Sequence, residues 1–232
     1  MKIIPKILDY IHLKYHLKKV ENYMNDHFNS DINVIFDVGC YKGSFIDICL
    51  HIYRSNCTIY AFEAEKRIYE KLSHYKRYKN INIYNFGISD KNALLDLNVS
   101  YQEGTSTFSS LNDKSKYLKF KSGILGEKLF VKKENVEVKK IDSFCLEKGI
   151  KKIDFLKIDT EGHEMSVLLG AEKSIMKIKV ILLEFSNHDM YLNYNNKKIE
   201  NFLIKNNFKF VEYFKTPLQK WEDRIYINKS LF

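Results

Sequence analysis

The chain of 232 residues has little arginine, no paired cysteines and no long apolar run. Its four cysteines form no Cys-x-x-Cys pair and have no clustered histidines, which predicts free thiols in a reducing compartment. No apolar run reaches the 18 residues of a membrane span, and the N-terminus lacks the continuous apolar core of a signal peptide. These absences predict a cytoplasmic protein without a transmembrane segment.

The net charge of +9 comes almost entirely from lysine, because only four of the 38 basic residues are arginines. A basic balance is compatible with a polyanionic partner such as nucleic acid or a membrane surface. Arginine, however, is the preferred residue for bidentate phosphate contacts. The lysines are spread over the whole chain, as a coding bias would spread them. A nucleic-acid partner is therefore the weaker interpretation.

Strand-like runs alternate with helix-like runs along most of the chain, which predicts an α/β fold with a mostly parallel sheet and helices on both faces. The apolar strands lack clean alternation, as expected for strands covered on both sides. Helices are predicted at 44–53, 66–76, 164–176 and 197–207. The last two strands have only a short link and predict an antiparallel hairpin at the sheet edge.

Two segments stand apart from this alternation. Residues 1–30 predict an amphipathic helix that packs against the main domain at 31–232, although its lysines leave peripheral membrane contact open. Its apolar stripe is Ile4, Ile7, Leu8, Ile11 and Leu17. The insertion 93–140 carries alternating valines that suggest short extra strands. It is interpreted as a lid or substrate wall, or equally as a solvated basic loop.

The stretch VIFDVGCYKGSF places Asp37, Gly39 and Gly43 where a strand ends and a helix begins. The glycines allow a tight turn and the helix offers free N–H groups, as in nucleotide sites. The spacing is not Gly-x-Gly-x-x-Gly, and a carboxylate at Asp37 repels phosphate. Asp37 instead suits a cationic ligand group, such as the ammonium of an amino acid; the alternative is a helix cap.

Glu63 ends the second predicted strand, 24 residues after Gly39. An acidic residue about 20 residues beyond a glycine turn accepts hydrogen bonds from ribose hydroxyls. A ligand with both an amino-acid ammonium and a ribose is S-adenosyl-L-methionine. A charge at the start of the following helix would explain Glu63 alone, but not the pair of Asp37 and Glu63 at strand ends.

The sequence resembles the FkbM family of S-adenosylmethionine-dependent methyltransferases over about 34–185. The resemblance rests, in chain order, on FDVGCYKG, YAFEAE, NFGISD, STFSSL, VKKIDSF, IDFLKIDTEGHEMSVLLGA and ILLEF. Members typically have Ala-Asn at Cys40-Tyr41 and proline at Ala64. The resemblance implies a Rossmann-like sheet of seven strands with an antiparallel last strand. It also implies O-methylation, commonly of sugars or glycosylated small molecules.

The same resemblance implies a cofactor site. Asp37, Gly39 and Gly43 would shape its methionine end, with Tyr41 in the same turn, and Glu63 would hold the ribose. Phe86 and Gly87, at the end of the third strand, would border the adenine.

Methyl transfer to oxygen needs an aligned hydroxyl and a group that removes its proton. Polar residues at the ends of the fourth and fifth strands converge at the ligand edge of such a sheet. Asp159 is the leading base and His163 the alternative, while Glu161 and Glu184 would orient or bind substrate hydroxyls. Acids in the first turn of a helix also stabilise its dipole regardless of function. The carboxylate spacing does not identify a metal site.

Two other functions stay open. An RNA ribose 2′-O-methyltransferase shares the fold and suits the basic charge, and Lys157 points the same way as Asp159. The expected lysine and acid set is nevertheless not visible, and no aromatic-basic RNA motif is present. A catalytically inactive module that binds a partner is the second alternative. The sequence predicts no oligomeric state.

Overall fold

The computed structural model describes residues 3–125, 128–215 and 220–232, with side chains from Lys14 onward apart from Leu125. A seven-stranded sheet has the order β3-β2-β1-β7-β8-β10-β9, and its pairs are parallel except for the two that β10 makes. Its strands are β1 Val34–Val38, β2 Thr58–Phe62, β3 Ile81–Tyr84, β7 Ile153–Ile158, β8 Ile178–Ser186, β9 Phe208–Lys215 and β10 Trp221–Asn228. The mostly parallel sheet, the terminal hairpin and its antiparallel last strand are confirmed.

Helices cover both faces of this sheet, because the apolar strands bury side chains in two directions. The helices are α1 Ile3–Phe28, α2 Ser44–Tyr53, α3 Lys66–Tyr69, α4 Lys116–Leu125, α5 Ile141–Lys148, α6 Glu164–Leu169 and α7 Asn196–Lys205. One core cluster joins the sheet to α5, α6 and α7, and a second joins it to α1 and α2. The predicted α/β class is therefore confirmed, and the carboxyl ends of β1, β2, β7 and β8 share one edge.

Two predicted helices are shorter than expected. The segment 66–76 is α helical only over α3 and continues as a 3₁₀ helix, where the buried Leu72 and Tyr75 are three residues apart. The segment 164–176 stops at Leu169. A Cβ at Gly170 would lie 2.1 Å from the carbonyl oxygen of Ser89, and the Asp142 carboxylate accepts the N–H groups of the next turn. Tertiary contacts thus end both helices.

Helix α1 packs against the sheet through its C-terminal half. Val20, Met24 and Phe28 are buried in the core cluster that also contains α2, and Leu17 packs against it. The other four residues of the predicted apolar stripe lie outside the described side chains. None of the described helices is long and apolar enough to cross a bilayer. The domain boundary at residue 31 and peripheral membrane contact stay predictions.

The insertion 93–140 contributes two strands to a small second sheet of order β4-β6-β5, whose short third strand β4 directly precedes the insertion. The strands of this sheet are β4 Gly87–Ile88, β5 Ala93–Ser100 and β6 Phe130–Lys139. The predicted short strands around the alternating valines are one continuous strand, β6, which pairs antiparallel with β5. The chain between β5 and β6 carries helix α4, and it lies next to the carboxyl ends of the main strands. A lid role for this segment stays a prediction.

Candidate active site

The turn after β1 is shaped by Gly39 and Gly43, which have φ angles of +80° and +85°. A Cβ at Gly39 would lie 1.8 Å from the carbonyl oxygen of Asp159, and one at Gly43 would lie 2.5 Å from the Tyr75 ring. Both positions therefore require glycine, for conformation and for space. The turn packs against the end of β7 and places the first N–H groups of α2 at the ligand edge.

Glu63 follows β2 directly and holds this turn in place. Its Oε2 accepts the N–H of Tyr41 at 3.0 Å and its Oε1 accepts the N–H of Glu65 at 2.8 Å. Burial raises the pKa of Glu63 to about 7, and the two backbone N–H groups oppose that rise. Each carboxylate oxygen can accept a second hydrogen bond. Glu63 can thus bind ribose hydroxyls while it fixes Tyr41, whose φ is +48°.

Asp37 is completely buried, and its partner is Lys157 on the neighbouring strand β7. The Lys157 Nζ lies 3.3 Å from Asp37 Oδ1, 3.1 Å from Asp159 Oδ2 and 3.3 Å from the Gly39 carbonyl oxygen. Burial raises the pKa of Asp37, and the Lys157 ammonium opposes that rise. Lys157 therefore supplies a cation where the sequence predicts a ligand ammonium. Contact between Asp37 and the cofactor stays a prediction.

These residues fit a nucleoside with an amino-acid tail. Asp37 Oδ2 is buried beneath the glycine turn and has no hydrogen-bond partner among the described residues, so it can accept an ammonium donor. Glu63 keeps free acceptor capacity at the end of the next strand. The turn, Asp37 and Glu63 would hold such a cofactor.

Three carboxylates lie close together at the ends of β7 and β8, and we call Asp159, Glu161 and Glu184 the acidic wall. Glu184 is 9% exposed, and no described side chain hydrogen-bonds to its carboxylate. Burial raises the pKa of Glu184 well above its usual value, and the charges of Asp159 and Glu161 raise it further. The structure therefore brings together three of the four predicted catalytic residues.

Glu161 has an unusual backbone and one strong partner. Its φ is +54°, a left-handed conformation that costs about 1 kcal/mol in a non-glycine residue. The Thr107 hydroxyl donates to its carbonyl oxygen at 2.6 Å, and the Tyr191 hydroxyl donates to its Oε2. Burial raises the pKa of Glu161 to about 6, with Asp159 raising it and Lys121 and Tyr191 lowering it. Strained residues of this kind cluster at functional sites.

A family model, described as the methyltransferase FkbM domain, matches residues 37–210, which contain the glycine turn, Glu63 and the acidic wall. The chain belongs to the FkbM methyltransferase family. The predicted resemblance and the predicted cofactor, S-adenosyl-L-methionine, are confirmed.

Individual relatives agree with this assignment to the FkbM family. The 2-O-methyltransferase NoeI of Sinorhizobium fredii is 27% identical over 165 residues, which cover 68% of this chain and 65% of NoeI. The structure of the methyltransferase FkbM from Methylobacillus flagellatus KT has a TM-score of 0.56 at 14% identity, over 87% of this chain and 46% of that one. Magnesium protoporphyrin IX methyltransferase from Synechocystis PCC 6803, with bound SAH, has a TM-score of 0.55 at 10% identity, over 99% and 89%. The two structures show the fold.

His163, the alternative base, has side-chain contacts with Ser89 and Phe108 and no hydrogen bond or ion pair with the acidic wall among the described residues. Its Nε2 lies 2.9 Å from the Ser89 hydroxyl, and its ring is 5.4 Å from that of Phe108. Burial lowers the pKa of His163 to about 4, so the ring is neutral at physiological pH. Its contacts join α6 to the small sheet. A catalytic role for His163 stays a prediction, but this geometry favours a structural role.

Phe86 and Gly87 lie where the main sheet meets the small one. Phe86 is buried in the core, with the Lys139 ammonium 5.0 Å from the centre of its ring. A Cβ at Gly87 would lie 2.5 Å from the ring of Phe108. Phe108, which the sequence prediction missed, therefore covers Gly87. A border with adenine stays a prediction for both residues.

The chain that carries α4 is tied to the segment after β8 by Asp189. Its Oδ1 accepts the Ser115 hydroxyl at 2.6 Å, and its Oδ2 accepts the N–H of Lys116 at 3.0 Å. These donors, with the hydroxyl contributing most, lower the pKa of Asp189 to about 2. The Asn112 side chain also donates to the Asp189 carbonyl oxygen. Ser115 directly precedes α4 and its hydroxyl accepts the Leu118 N–H, so Asp189 adds a cap to the start of the helix from a distant part of the chain.

We expect Asp189→Ala to loosen α4 while leaving the central sheet intact. The substitution removes the acceptor for the first N–H groups of the helix, whereas Asp189→Asn keeps a capping oxygen. Hydrogen exchange should become several-fold faster at the amides of Lys116 and Tyr117 in the alanine variant. Amides of β7 should exchange as before, and the asparagine variant should resemble the wild type. Equal protection in all three proteins would contradict the capping role.

No group of three or more histidine, cysteine, aspartate or glutamate side chains within the described ranges has the arrangement of a metal site.

Proposed function

We propose that this chain transfers a methyl group from S-adenosyl-L-methionine to a hydroxyl of a sugar or glycan. The observation that carries the proposal is the acidic wall, beside the turn that would hold the cofactor. Carboxylates bind and orient hydroxyl groups, and a partly buried one can take a proton near neutral pH. NoeI, the relative that is 27% identical, is a 2-O-methyltransferase, which supports transfer to oxygen.

Within this proposal, Glu161 is the general base and Asp159 orients the acceptor. The Asp159 carboxylate is already paired with the Lys157 ammonium at 3.1 Å, so it has a partner before any acceptor binds. Glu161 has a pKa raised to about 6, which is better matched to proton removal near neutral pH. This assignment exchanges the roles that the sequence predicts for the two residues.

The proton passes directly from the acceptor hydroxyl to the Glu161 carboxylate. When bound, S-adenosyl-L-methionine supplies a methyl group activated by its sulfonium charge. The acceptor hydroxyl gives its proton to Glu161 as its oxygen gains the methyl group, so no charged oxygen is left behind. Tyr191 keeps Glu161 in place through its hydroxyl hydrogen bond. Glu184, buried and without a hydrogen-bond partner in the described chain, would bind a second acceptor hydroxyl.

The acidic wall argues against RNA as the acceptor, since the carbon next to a ribose 2′-hydroxyl in RNA carries a phosphate, which the carboxylates would repel at that short distance. The inactive-module alternative leaves the strained backbone of Glu161 and its raised pKa without a purpose. Neither alternative gains support from a specific contact in the described residues.

The test is incubation with methyl-labelled S-adenosyl-L-methionine and separate glycan, lipid and RNA fractions from the source cell. We expect base-stable label in the glycan or glycolipid fraction and none with Glu161→Gln. Titration with S-adenosylhomocysteine checks that the variant still binds cofactor. Label in RNA alone would refute the sugar acceptor, and cofactor binding without label in any fraction would favour the inactive module.

A further inference from the structure

A cavity of about 520 Å³ opens beyond the carboxyl end of β8, next to the acidic wall. Its lining includes Lys116 at the start of α4, Lys220 just before β10, and Asn187 and His188 between them. The N–H of Asn187 donates to the Lys220 carbonyl oxygen at 2.7 Å, which fixes the two sides of the cavity relative to each other. Nothing in the family match or in the named relatives assigns a ligand to this cavity.

The charge of this cavity is opposite to that of the acidic wall. The Lys121 and Lys220 ammonium groups lie 5.4 and 5.9 Å from the centre of the Tyr117 ring, which belongs to the lining. Burial lowers the pKa of His188 to about 4, and the charges of Lys121 and Lys220 lower it further. Two lysines distant in sequence therefore act on one neutral histidine beside the cavity.

The single lining carboxylate, Asp189, does not cancel this charge. Its oxygens already accept the Ser115 hydroxyl and the N–H groups of Lys116 and Tyr117. Lys121 is outside the lining, and its charge also acts on Glu161. The ammonium groups of Lys116 and Lys220 have no ion-pair partner within the described part of the chain. They remain available for an anionic ligand.

Aromatic rings connect the acidic wall to this basic cavity. Tyr191 donates to Glu161, its ring is 5.2 Å from that of His188, and the His188 ring is stacked 4.5 Å from that of Tyr117. These two ring-to-ring steps together are longer than one sugar ring, which leaves room for a sugar and a group attached to it.

We propose that the basic cavity binds a phosphate or diphosphate group attached to the acceptor sugar, so that the acceptor is a phosphate-linked sugar rather than a free neutral one. This inference rests on the proposed function, since it places the reacting hydroxyl at the acidic wall and the anion at the far end of the row of rings. A carboxylate on the sugar itself would lie nearer Glu161 and Glu184 and be repelled by them. A nucleotide and a lipid carrier share this phosphate chemistry.

The test is calorimetric titration of inorganic pyrophosphate into the chain saturated with S-adenosylhomocysteine, which blocks the cofactor site. We expect one saturable site, with affinity about tenfold weaker in Lys116→Ala and in Lys220→Ala, because each loses a charge-assisted contact. The matched control is Lys151→Ala, an exposed lysine at the opposite end of β7. It should bind pyrophosphate like the wild type. Retained S-adenosylhomocysteine binding shows that the variants are folded.

Further titrations separate the sources of the phosphate. Tighter binding of uridine 5′-diphosphate than of pyrophosphate would indicate a nucleotide carrier, and tighter binding of farnesyl diphosphate a lipid carrier. No saturable pyrophosphate site, or equal affinity in all lysine variants, would overturn the inference. Binding of glucuronate but not of pyrophosphate would overturn it in favour of an acidic sugar.

The outcome is separable from that of the proposed function. Glu161→Gln should lose methyl transfer and keep pyrophosphate binding, because Glu161 is outside the cavity lining. If the chain methylates neutral glycans but has no pyrophosphate site, the proposed function stands and phosphate binding in the basic cavity is refuted. If pyrophosphate binding depends on the lysines but no sugar is methylated, phosphate binding in the cavity stands and the proposed function is refuted.

Discussion

Replacing Glu161 with glutamine should lower kcat for methyl transfer by roughly 10²–10⁴-fold, the usual contribution of a general base. Glutamine keeps the size and one acceptor oxygen but cannot take the hydroxyl proton. S-adenosylhomocysteine should bind with unchanged affinity, because Glu63 and the glycine turn are untouched. Single-turnover measurement with labelled cofactor and calorimetry would check the two expectations.

The pH dependence offers a second measurement on the same residue. A general base works only when deprotonated, so kcat should fall as the pH drops through about 6, the pKa of Glu161 in the folded chain. The Tyr191 hydroxyl lowers that pKa by donating to the carboxylate. Tyr191→Phe should therefore move the acidic limb of the profile to higher pH, while activity at alkaline pH is largely retained.

Asp159→Asn is the matched control for Glu161→Gln. It removes a carboxylate of the same acidic wall, and we expect a smaller loss of kcat and a larger rise of KM. The opposite ranking, with Glu161→Gln active and Asp159→Asn inactive, would return the base to Asp159, where the sequence alone places it. An acidic limb that stays in place in Tyr191→Phe would also contradict the assignment to Glu161.

Most of the sheet could be predicted because each strand carries its own local signal. Runs such as VIFDV and IDFLKI are apolar and short, and turns or helices separate them, so their alternation predicts the parallel order. The segments 66–76 and 164–176 also read as helices, yet both are interrupted. Gly170 against Ser89 and the capping of the next turn by Asp142 are contacts between distant residues. No local pattern records them.

In the candidate site, too, the sequence predicts some residues and misses others. Strand-end positions predicted Glu63, Asp159, Glu161 and Glu184 at one edge, because the carboxyl ends of parallel strands meet there. The partners of these residues were not predictable. Tyr191 lies in an irregular segment after β8, and its hydrogen bond to Glu161 depends on how that segment folds back. Asp189 likewise caps a helix more than 60 residues earlier in the chain.

Lys157 shows how strand register decides what sequence spacing leaves open. The sequence places Lys157 on the same face of β7 as Asp159, but it does not say which residue of β1 lies beside it. The register pairs Asp37 with Lys157, so the lysine lies between two carboxylates. Burial alone would lower its pKa, but both charges raise it above its usual value and keep it charged. Its main effect should be on stability.

Lys157→Met should lower the free energy of unfolding by about 3–5 kcal/mol at neutral pH, the usual cost of removing one partner of a buried ion pair. The cost comes from Asp37, which is completely buried and would be left without the partner that stabilises its carboxylate. The Asp159 side chain is 40% exposed, so water can replace the lysine there. Urea unfolding followed by circular dichroism would measure the loss.

The matched control is Lys152→Met, which breaks another lysine–aspartate pair, between the residue just before β7 and Asp154 within it. Lys152 is 61% exposed, and its partner Asp154 keeps two backbone donors, the N–H groups of Asn33 and Val34. We therefore expect a loss below about 1 kcal/mol. A loss as large as that of Lys157→Met would mean that burial of Asp37 is not the cause.

The loss in Lys157→Met should also depend on pH. Burial raises the pKa of Asp37 above its unfolded value even with Lys157 present, and removing the ammonium raises it further. Folding then favours the protonated carboxyl, so the variant should be relatively most stable near pH 4 and lose stability as the pH rises.

Adding Asp37→Asn to Lys157→Met should recover much of the loss at neutral pH, because no buried charge is left without a partner. A double variant as unstable as Lys157→Met would show that the aliphatic contacts of the lysine, and not its charge, stabilise the turn that would hold the cofactor.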